Sequence, residues 1–194
     1  MAGFKFTANI KTRHPITLLY RKEESMKTIY LAGGCFWGLQ KFFDQFEGII
    51  STQTGYANGN TENPTYEDVK HNHSGHTETV KIEYDETVIN LTKILEYYFL
   101  AIDPYSVNKQ GEDEGENYRT GIYYDDDSLL PEIKKEFERQ EQIEGQKFVV
   151  ELLPLKNYYS AEEYHQKYLE KNPTGYCHLP LKLFTLAKDS EKTL

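Results

Sequence analysis

A change of hydrophobic period at two glycines constrains the fold of this chain more than any other feature. Residues 28–32 (Thr-Ile-Tyr-Leu-Ala) are apolar or β-branched in succession, which is typical of a buried strand. After Gly33 and Gly34 the apolar residues recur at helical spacing instead, at Phe36, Leu39, Phe42, Phe43 and Phe46. The sequence therefore predicts a strand that turns tightly at the glycines into an amphipathic helix.

This pattern places Cys35 at the N-terminus of the predicted helix. The unpaired backbone N–H groups and the positive end of the helix dipole favour a thiolate over a thiol at such a position. The next two side chains, Phe36 and Trp37, would give this nucleophile an apolar wall. The alternative is a structural cysteine that is buried among the same aromatic rings.

The composition excludes several classes of protein. The 194 residues are enough to bury one core, and a net charge of −9 argues against nucleic acid and anionic membrane surfaces as partners. No apolar run has the length needed to span a bilayer. Two cysteines, Cys35 and Cys177, provide neither a disulfide framework nor a four-thiolate metal site. We interpret them as redox or catalytic groups in a reducing cytoplasmic compartment.

The first 25 residues differ in charge from the rest of the chain. They are basic and nearly free of acidic residues until Glu23, and Met26 comes directly before the first predicted strand. We expect residues 1–25 to form a weakly ordered extension. Residues 26–194 should form a single catalytic domain with a flexible C-terminal tail that carries Cys177.

Strands and helices alternate in the order β-helix-β-β-helix-β. Further strands are predicted at residues 49–56, 78–84, 120–124 and 148–153. Further helices are predicted after Asn63-Pro64, after Asn90, over residues 128–142, and from a capping box at residues 160–163. This order predicts an α+β fold: a two-layer sandwich with a mixed sheet, and a ferredoxin-like core with extra helices and long loops.

The strand over residues 78–84 carries an acidic residue on its apolar face. Val80, Ile82 and Tyr84 share one face, and Glu78 falls on the same face by parity. A carboxyl at the mouth of an apolar pocket resists ionisation, which suits a general acid. The alternative is a glutamate at the end of a strand that bends out to solvent.

Several short motifs occur in order along the chain. They are residues 34–38 (Gly-Cys-Phe-Trp-Gly), 55–56, 63–66, 75–78 (Gly-His-Thr-Glu), 103–104, 108–111, 113, 117–119 and 172–178. Together they resemble the A class of peptide methionine sulfoxide reductases, over about residues 28–178. The resemblance implies thiol-dependent reduction of methionine S-sulfoxide, peptide-bound or free, to methionine.

The same resemblance implies roles for individual residues. Cys35 would attack the sulfoxide sulfur and become a sulfenic acid, and Glu78 would protonate the sulfoxide oxygen. The other positions implied in catalysis or substrate binding are Tyr66, Tyr118, Phe36, Trp37, Asp113, Gly34 and His76. The two tyrosines would hydrogen-bond the oxygen, and the two aromatic residues after Cys35 would hold the methyl group.

Cys177 would be the resolving cysteine by this resemblance. It would condense with the sulfenic acid to a disulfide, and thioredoxin or another dithiol would restore both thiols. The resemblance implies a monomer that needs no metal, flavin or nucleotide cofactor.

A metal site is an alternative interpretation of the histidines near Glu78. His71, His73 and His76 are close in sequence, but their spacing fits neither a strand period nor the helical pair of a zinc motif. A polar turn explains them more simply.

Two further alternatives concern Cys35. It could be the nucleophile of a hydrolase or acyltransferase, with His76 or His165 as its base. Alternatively, Phe36, Trp37 and the tyrosines could form a binding module for a methionine-like ligand. The hydrolase interpretation leaves the second cysteine without a role.

Overall fold

In the computed structural model, which describes residues 25–190 and side chains to residue 185, six strands form one sheet. The strands of this sheet are β1 (Met26–Ala32), β2 (Ile49–Ala57), β3 (Thr77–Asp85), β6 (Gly121–Tyr124), β7 (Glu151–Pro154) and β8 (Tyr158–Ser160). Their order is β7-β6-β1-β3-β2-β8, and only the pair β6–β7 is parallel. A two-stranded sheet is formed by β4 (Lys109–Gln110) and β5 (Asp113–Glu114). The extension predicted over residues 1–25 lies outside the described residues, apart from Ser25.

The helices complete a ferredoxin-like arrangement. They are α1 (Phe36–Phe43), α2 (Tyr66–His71), α3 (Leu91–Ala101), α4 (Leu130–Glu144), α5 (Tyr168–Lys171) and α6 (Leu181–Ser190). Single 3₁₀ turns lie at Glu116–Tyr118 and Asp127–Leu129. Strands β1, β2, β3 and β6 with helices α1 and α3 give the order β-helix-β-β-helix-β, with neighbouring strands antiparallel. The predicted α+β fold with a mixed sheet is confirmed. In the described part of the chain, none of the helices is long and apolar enough to cross a membrane.

The core lies between the sheet and the helices that cover one of its faces. Ile29 and Leu31 of β1 are fully buried against this helical layer, together with Leu39 of α1. Tyr30 and Ala32 alternate with them and belong to a smaller apolar cluster on the other face of the sheet. Strand β1 is therefore buried on both faces, which explains its continuous apolar sequence.

The turn from β1 into α1 depends on both of its glycines. A Cβ on Gly33 would lie 2.5 Å from a methyl carbon of Ile102, so no larger residue fits there. Gly34 has φ +75°, in the left-handed region that favours glycine. Cys35 follows as the N-cap residue of α1, as the sequence predicts.

One prediction about the C-terminal third is wrong. The capping box at residues 160–163 does not begin a helix, because Ser160 pairs with Gly55 as the last residue of β8 and helix α5 begins only at Tyr168. The Glu162 carboxylate accepts hydrogen bonds from the Tyr56 hydroxyl and the Tyr66 N–H, so it does not cap a helix that begins at residue 160. Helix α6, which follows Cys177, was not predicted.

Three other elements deviate in their bounds. The strand predicted at 148–153 begins at Glu151, and the polar loop before β6 contains the short hairpin of β4 and β5. The helix predicted over 128–142 begins as a 3₁₀ turn and continues in α4 to Glu144. The cap at Asn90 is confirmed, since its side chain accepts from the Lys93 N–H at 2.8 Å.

Tyr98→Phe should destabilise the fold through a single hydroxyl. Tyr98 is fully buried on α3, and its hydroxyl donates to the Ala32 carbonyl at 2.7 Å and lies 3.3 Å from the Gly121 carbonyl. Its loss leaves these carbonyls less satisfied, so we expect the free energy of unfolding to fall by about 1–2 kcal/mol. Urea unfolding measures this, with Tyr97→Phe as the control because the Tyr97 ring is only partly buried. Equal losses in both variants would contradict the prediction.

Candidate active site

A cavity of about 410 Å³ opens at the N-terminus of α1. It is lined by Cys35, Phe36, Trp37, Tyr66, Lys70, Glu78, Glu112, Asp113, Tyr118 and Tyr176. Seven of these ten residues are among those predicted for the site. The exceptions are Lys70, Glu112 and Tyr176, and each has a signal in the sequence. Lys70 lies one helical turn after Tyr66, while the other two are adjacent to predicted residues.

Cys35 is a free thiol held at the end of a helix and almost entirely buried. Its side chain is 7% exposed, and the backbone N–H groups of Trp37 and Gly38 lower the pKa of its thiol without forming a capping hydrogen bond. Burial and the nearby Glu78 carboxyl raise its pKa well above the ordinary value, and the two N–H groups only partly offset this. The thiolate predicted from the helix terminus alone is therefore wrong for the unliganded pocket. Cys35 is a thiol there because desolvation outweighs the helix terminus.

Glu78 lies on the apolar face of β3, as its parity predicts. It is 1% exposed, so the alternative of a solvent-facing carboxyl is wrong. Its Oε2 accepts from the Phe36 N–H at 3.1 Å and its Oε1 from the Asn117 side-chain amide at 3.4 Å. Burial raises the pKa of Glu78 to about 8. The charge of Asp113 also raises it, whereas the two hydrogen bonds lower it. The carboxyl is consequently protonated near neutral pH.

Two tyrosine hydroxyls face the same cavity. Tyr66 is the first residue of α2, and its N–H donates to Glu162 at 2.9 Å, which fixes where the helix begins. Tyr118 ends the 3₁₀ turn beside Asn117. Burial raises the pKa of both Tyr66 and Tyr118, with a further contribution from the Glu78 carboxyl. Both phenols are therefore hydrogen-bond donors at physiological pH.

Trp37 is fixed on the apolar side of the cavity by two contacts. Its ring stacks on Tyr168 with centroids 3.8 Å apart and planes 15° from parallel. Its indole N–H donates to Nδ1 of His165 at 3.1 Å. His165, which was considered as a base for Cys35, therefore has one ring nitrogen committed to Trp37, and burial lowers its pKa. Phe36, 1% exposed, completes this wall.

His76 and Gly34 do not line the cavity. His76 is 1% exposed and lines an adjoining groove of about 300 Å³, which shares Lys70 and Tyr118 with the cavity. Its Nδ1 lies 3.2 Å from the Ser74 hydroxyl. Gly34 contributes to the backbone turn, where its N–H donates to the Tyr118 carbonyl at 3.2 Å. These two predicted residues therefore lie outside the cavity lining.

The histidines near Glu78 are not arranged as metal ligands. His71 and His73 are exposed, whereas His76 and Glu78 are buried. Within residues 25–190, no group of three or more histidine, cysteine or acidic side chains is placed to hold a metal ion.

Cys177 also lies outside the cavity lining but close to the helix that carries Cys35. It is a free, half-buried thiol in the irregular segment before α6. Its sulfur lies 3.3 Å from the point where a Cβ on Gly38 would be. The Gly38 N–H lowers the pKa of Cys35, so one glycine of α1 lies near both cysteines.

The site is suited to thiol chemistry on a small polar group. It combines a cysteine thiol, a neutral carboxylic acid and two phenol donors around a cavity that is half aromatic.

The family model for peptide methionine sulfoxide reductase matches residues 27–193. "Peptide methionine sulfoxide reductase MsrA" of Lachnoclostridium phytofermentans is 52% identical over 164 residues, which are 84% of this chain and 99% of the relative.

Solved structures agree with the sequence relatives. Mxr1 from Saccharomyces cerevisiae in reduced form superposes with a TM-score of 0.75 at 36% identity, covering 79% of this chain and 90% of that one. Mxr1 in complex with Trx2 matches with a TM-score of 0.53 at 26% identity, covering 75% and 86%. The chain belongs to the peptide methionine sulfoxide reductase family, in the A class. It is an enzyme of thiol-dependent methionine sulfoxide reduction.

The raised pKa of Glu78 predicts a pH dependence of stability. Between its ordinary value of 4.5 and about 8, the folded protein holds a proton that the unfolded chain has released. The free energy of unfolding should therefore fall as pH rises through this interval, by at most about 1.4 kcal/mol per pH unit from this group. Glu78→Gln removes this titration. Over the same pH interval, the free energy of unfolding of the wild type should therefore fall by about 3–4 kcal/mol more than that of the variant.

Urea unfolding of both proteins at several pH values measures this difference, because the other titrating groups cancel in the comparison. Parallel pH profiles for wild type and Glu78→Gln would contradict a buried, neutral carboxyl.

Proposed function

We propose that this chain reduces methionine S-sulfoxide, in polypeptides and as the free amino acid, with Cys35 as nucleophile and Glu78 as acid. One observation carries the proposal. The N–H of Phe36, the residue after Cys35, donates to the Glu78 carboxyl at 3.1 Å. This contact holds the nucleophile and the acid close together in the lining of one cavity.

The two sides of the cavity match the two substituents on a sulfoxide sulfur. Phe36 and Trp37 hold the methyl group against an apolar wall, while Tyr66 and Tyr118 donate hydrogen bonds to the oxygen. Asp113 supports the polar side. Because the methyl and the oxygen occupy opposite sides, only one epimer presents its sulfur to Cys35, and the proposal assigns the S epimer.

Cys35 and Glu78 both begin the reaction protonated, because burial raises the pKa of each. Glu78 gives its proton to the sulfoxide oxygen as the Cys35 sulfur attacks, and the thiol proton of Cys35 replaces it on the carboxyl. This gives an adduct in which the substrate sulfur is bonded to the Cys35 sulfur and to a hydroxyl. The S–O and S–S bonds of the substrate sulfur then break as the hydroxyl passes to the Cys35 sulfur, which becomes a sulfenic acid. The products are methionine and Cys35 sulfenic acid, and Glu78 is again protonated for the next cycle.

Cys177 resolves the sulfenic acid. Its thiol attacks the Cys35 sulfur, a disulfide forms and water leaves. The position of the Cys177 sulfur against Gly38, in the first turn of the helix that Cys35 caps, supports this pairing. A thioredoxin then reduces the disulfide by thiol exchange, supported by the yeast relative solved in complex with Trx2.

The same proposal covers the cellular compartment of the enzyme, its oligomeric state and its cofactors. Reducing equivalents from a thioredoxin are abundant in the cytoplasm, so we assign the enzyme to that compartment. The enzyme acts there as a monomer, in a single catalytic domain over residues 26–194. It carries no metal, flavin or nucleotide, since the protein's own thiols and carboxyl supply every group that the reaction needs.

Thiol counting tests the assignment of the two cysteines. The reduced wild type should lose two thiols for each methionine formed from methionine S-sulfoxide. Cys35→Ser should form no methionine, because the nucleophile is absent. Cys177→Ser should form one methionine per protein and then stop, even with thioredoxin present. Continued turnover of Cys177→Ser with thioredoxin would contradict a resolving role.

Replacing the acid tests the role of Glu78. Glu78→Gln should lower the rate of the first methionine formed by about 10²-fold, because an amide donates a hydrogen bond but no proton. The matched control is Glu83→Gln, on the same strand but on its solvent side beside Lys81. Single-turnover mixing measures both rates, and an undiminished rate in Glu78→Gln would remove the acid from the proposal.

A further inference from the structure

Disulfide formation needs a proton acceptor that the first half of the reaction does not supply. The inference below rests on the proposed function, in which Cys177 attacks the sulfenic sulfur of Cys35. A thiol must lose its proton to become an effective nucleophile. Burial raises the pKa of Cys177, so its thiol holds the proton more firmly than an exposed cysteine would. Glu78 is already protonated at this stage and accepts nothing.

The imidazole of His178 lies across the first turn of α1. Its Nε2 is 3.0 Å from the point where a Cβ on Gly34 would be, and its Nδ1 is 3.1 Å from the corresponding point on Gly38. The Cys177 sulfur is 3.3 Å from that same point on Gly38. Nδ1 of His178 and the Cys177 sulfur therefore lie beside the same residue, Gly38. Cys35 lies in the turn between Gly34 and Gly38.

Neither ring nitrogen of His178 makes a hydrogen bond of good geometry within the described part of the chain, although both are buried and the Gly33 carbonyl lies near the ring. Buried polar atoms are nearly always paired, so an unpaired imidazole beside a reactive thiol needs an explanation. A neutral imidazole always has one nitrogen that can accept a proton. His178 therefore has an acceptor nitrogen that the fold does not use.

The charges around His178 favour a neutral ring that can accept a proton transiently. Burial lowers its pKa, and the Asp113 carboxylate and the Gly33 carbonyl partly offset this. From α1, Lys41 acts on the neighbouring Cys177, whose pKa it lowers. Asp113 would also stabilise the imidazolium during the step.

We propose that His178 is the proton acceptor for disulfide formation between Cys177 and Cys35. The Cys177 thiol proton passes to the imidazole as its sulfur bonds to the Cys35 sulfur. The S–O bond of the sulfenic acid breaks, and the imidazolium returns the proton to the departing hydroxide. One S–S bond and one water form, His178 ends neutral, and no outside oxidant or reductant takes part.

The test follows both halves of one turnover after rapid mixing with methionine S-sulfoxide. Methionine is quantified for the first half. Disulfide is followed by loss of free thiols, and sulfenic acid is trapped by a cyclic 1,3-dione. The proteins are wild type, His178→Gln, His178→Asn and the exposed-histidine control His71→Gln. The asparagine variant places an amide nitrogen near the former Nδ1, so it retains packing and polarity if the glutamine does not fit.

In both His178 variants we expect one methionine per protein at the wild-type rate, followed by disulfide formation slowed about 10²-fold. The trapped sulfenic acid should accumulate. The slow step should accelerate as pH rises from about 6 to 9, because Cys177 then ionises without a base, and added imidazole should restore part of the rate. His71→Gln should behave as wild type.

Three outcomes would overturn the inference: an unchanged disulfide rate in both variants, a slow rate that neither pH nor imidazole rescues, or loss of the methionine burst itself. Failure of the proposed function looks different, since wild type would then form no methionine at all.

Discussion

The Phe36 N–H donates to the Glu78 carboxyl, and this contact joins the start of α1 to the apolar face of β3. It is made where the carboxyl is almost completely buried in the cavity wall, so Glu78 keeps its proton near neutral pH. The same desolvation keeps Cys35 a thiol. The reaction therefore begins from two neutral groups, and the oxygen of a bound sulfoxide is the acceptor for the Glu78 proton.

Small residues let the C-terminal segment reach this helix. Gly34, just before α1, and Gly38, in its first turn, have no side chains, and His178 and Cys177 occupy the space beside them. The resolving thiol is thus held near the helix of the catalytic one before any oxidation occurs. The tail segment and helix terminus form one redox unit, although well over a hundred residues separate them in the chain.

Local patterns predicted the elements on which the site is built. The strand, the glycine turn and the position of Cys35 as N-cap followed from a change of period, and Glu78 followed from parity in β3. Predictions failed where a distant contact competes with a local one. The capping box at residues 160–163 is an example, because strand pairing takes Ser160, while Tyr56 and Tyr66 take the carboxylate of Glu162.

The sequence by itself determined the βαββαβ core and the family, because periodicity and short motifs are properties of neighbouring residues. It also determined which residue types could react. Only the tertiary structure decided their ionisation, since a helix terminus is local but desolvation depends on what the rest of the chain packs around Cys35. Tertiary structure likewise decided that His76 lines an adjoining groove instead of the cavity, and that the half-buried His178 lies beside Cys177. Those are long-range contacts, which no local pattern encodes.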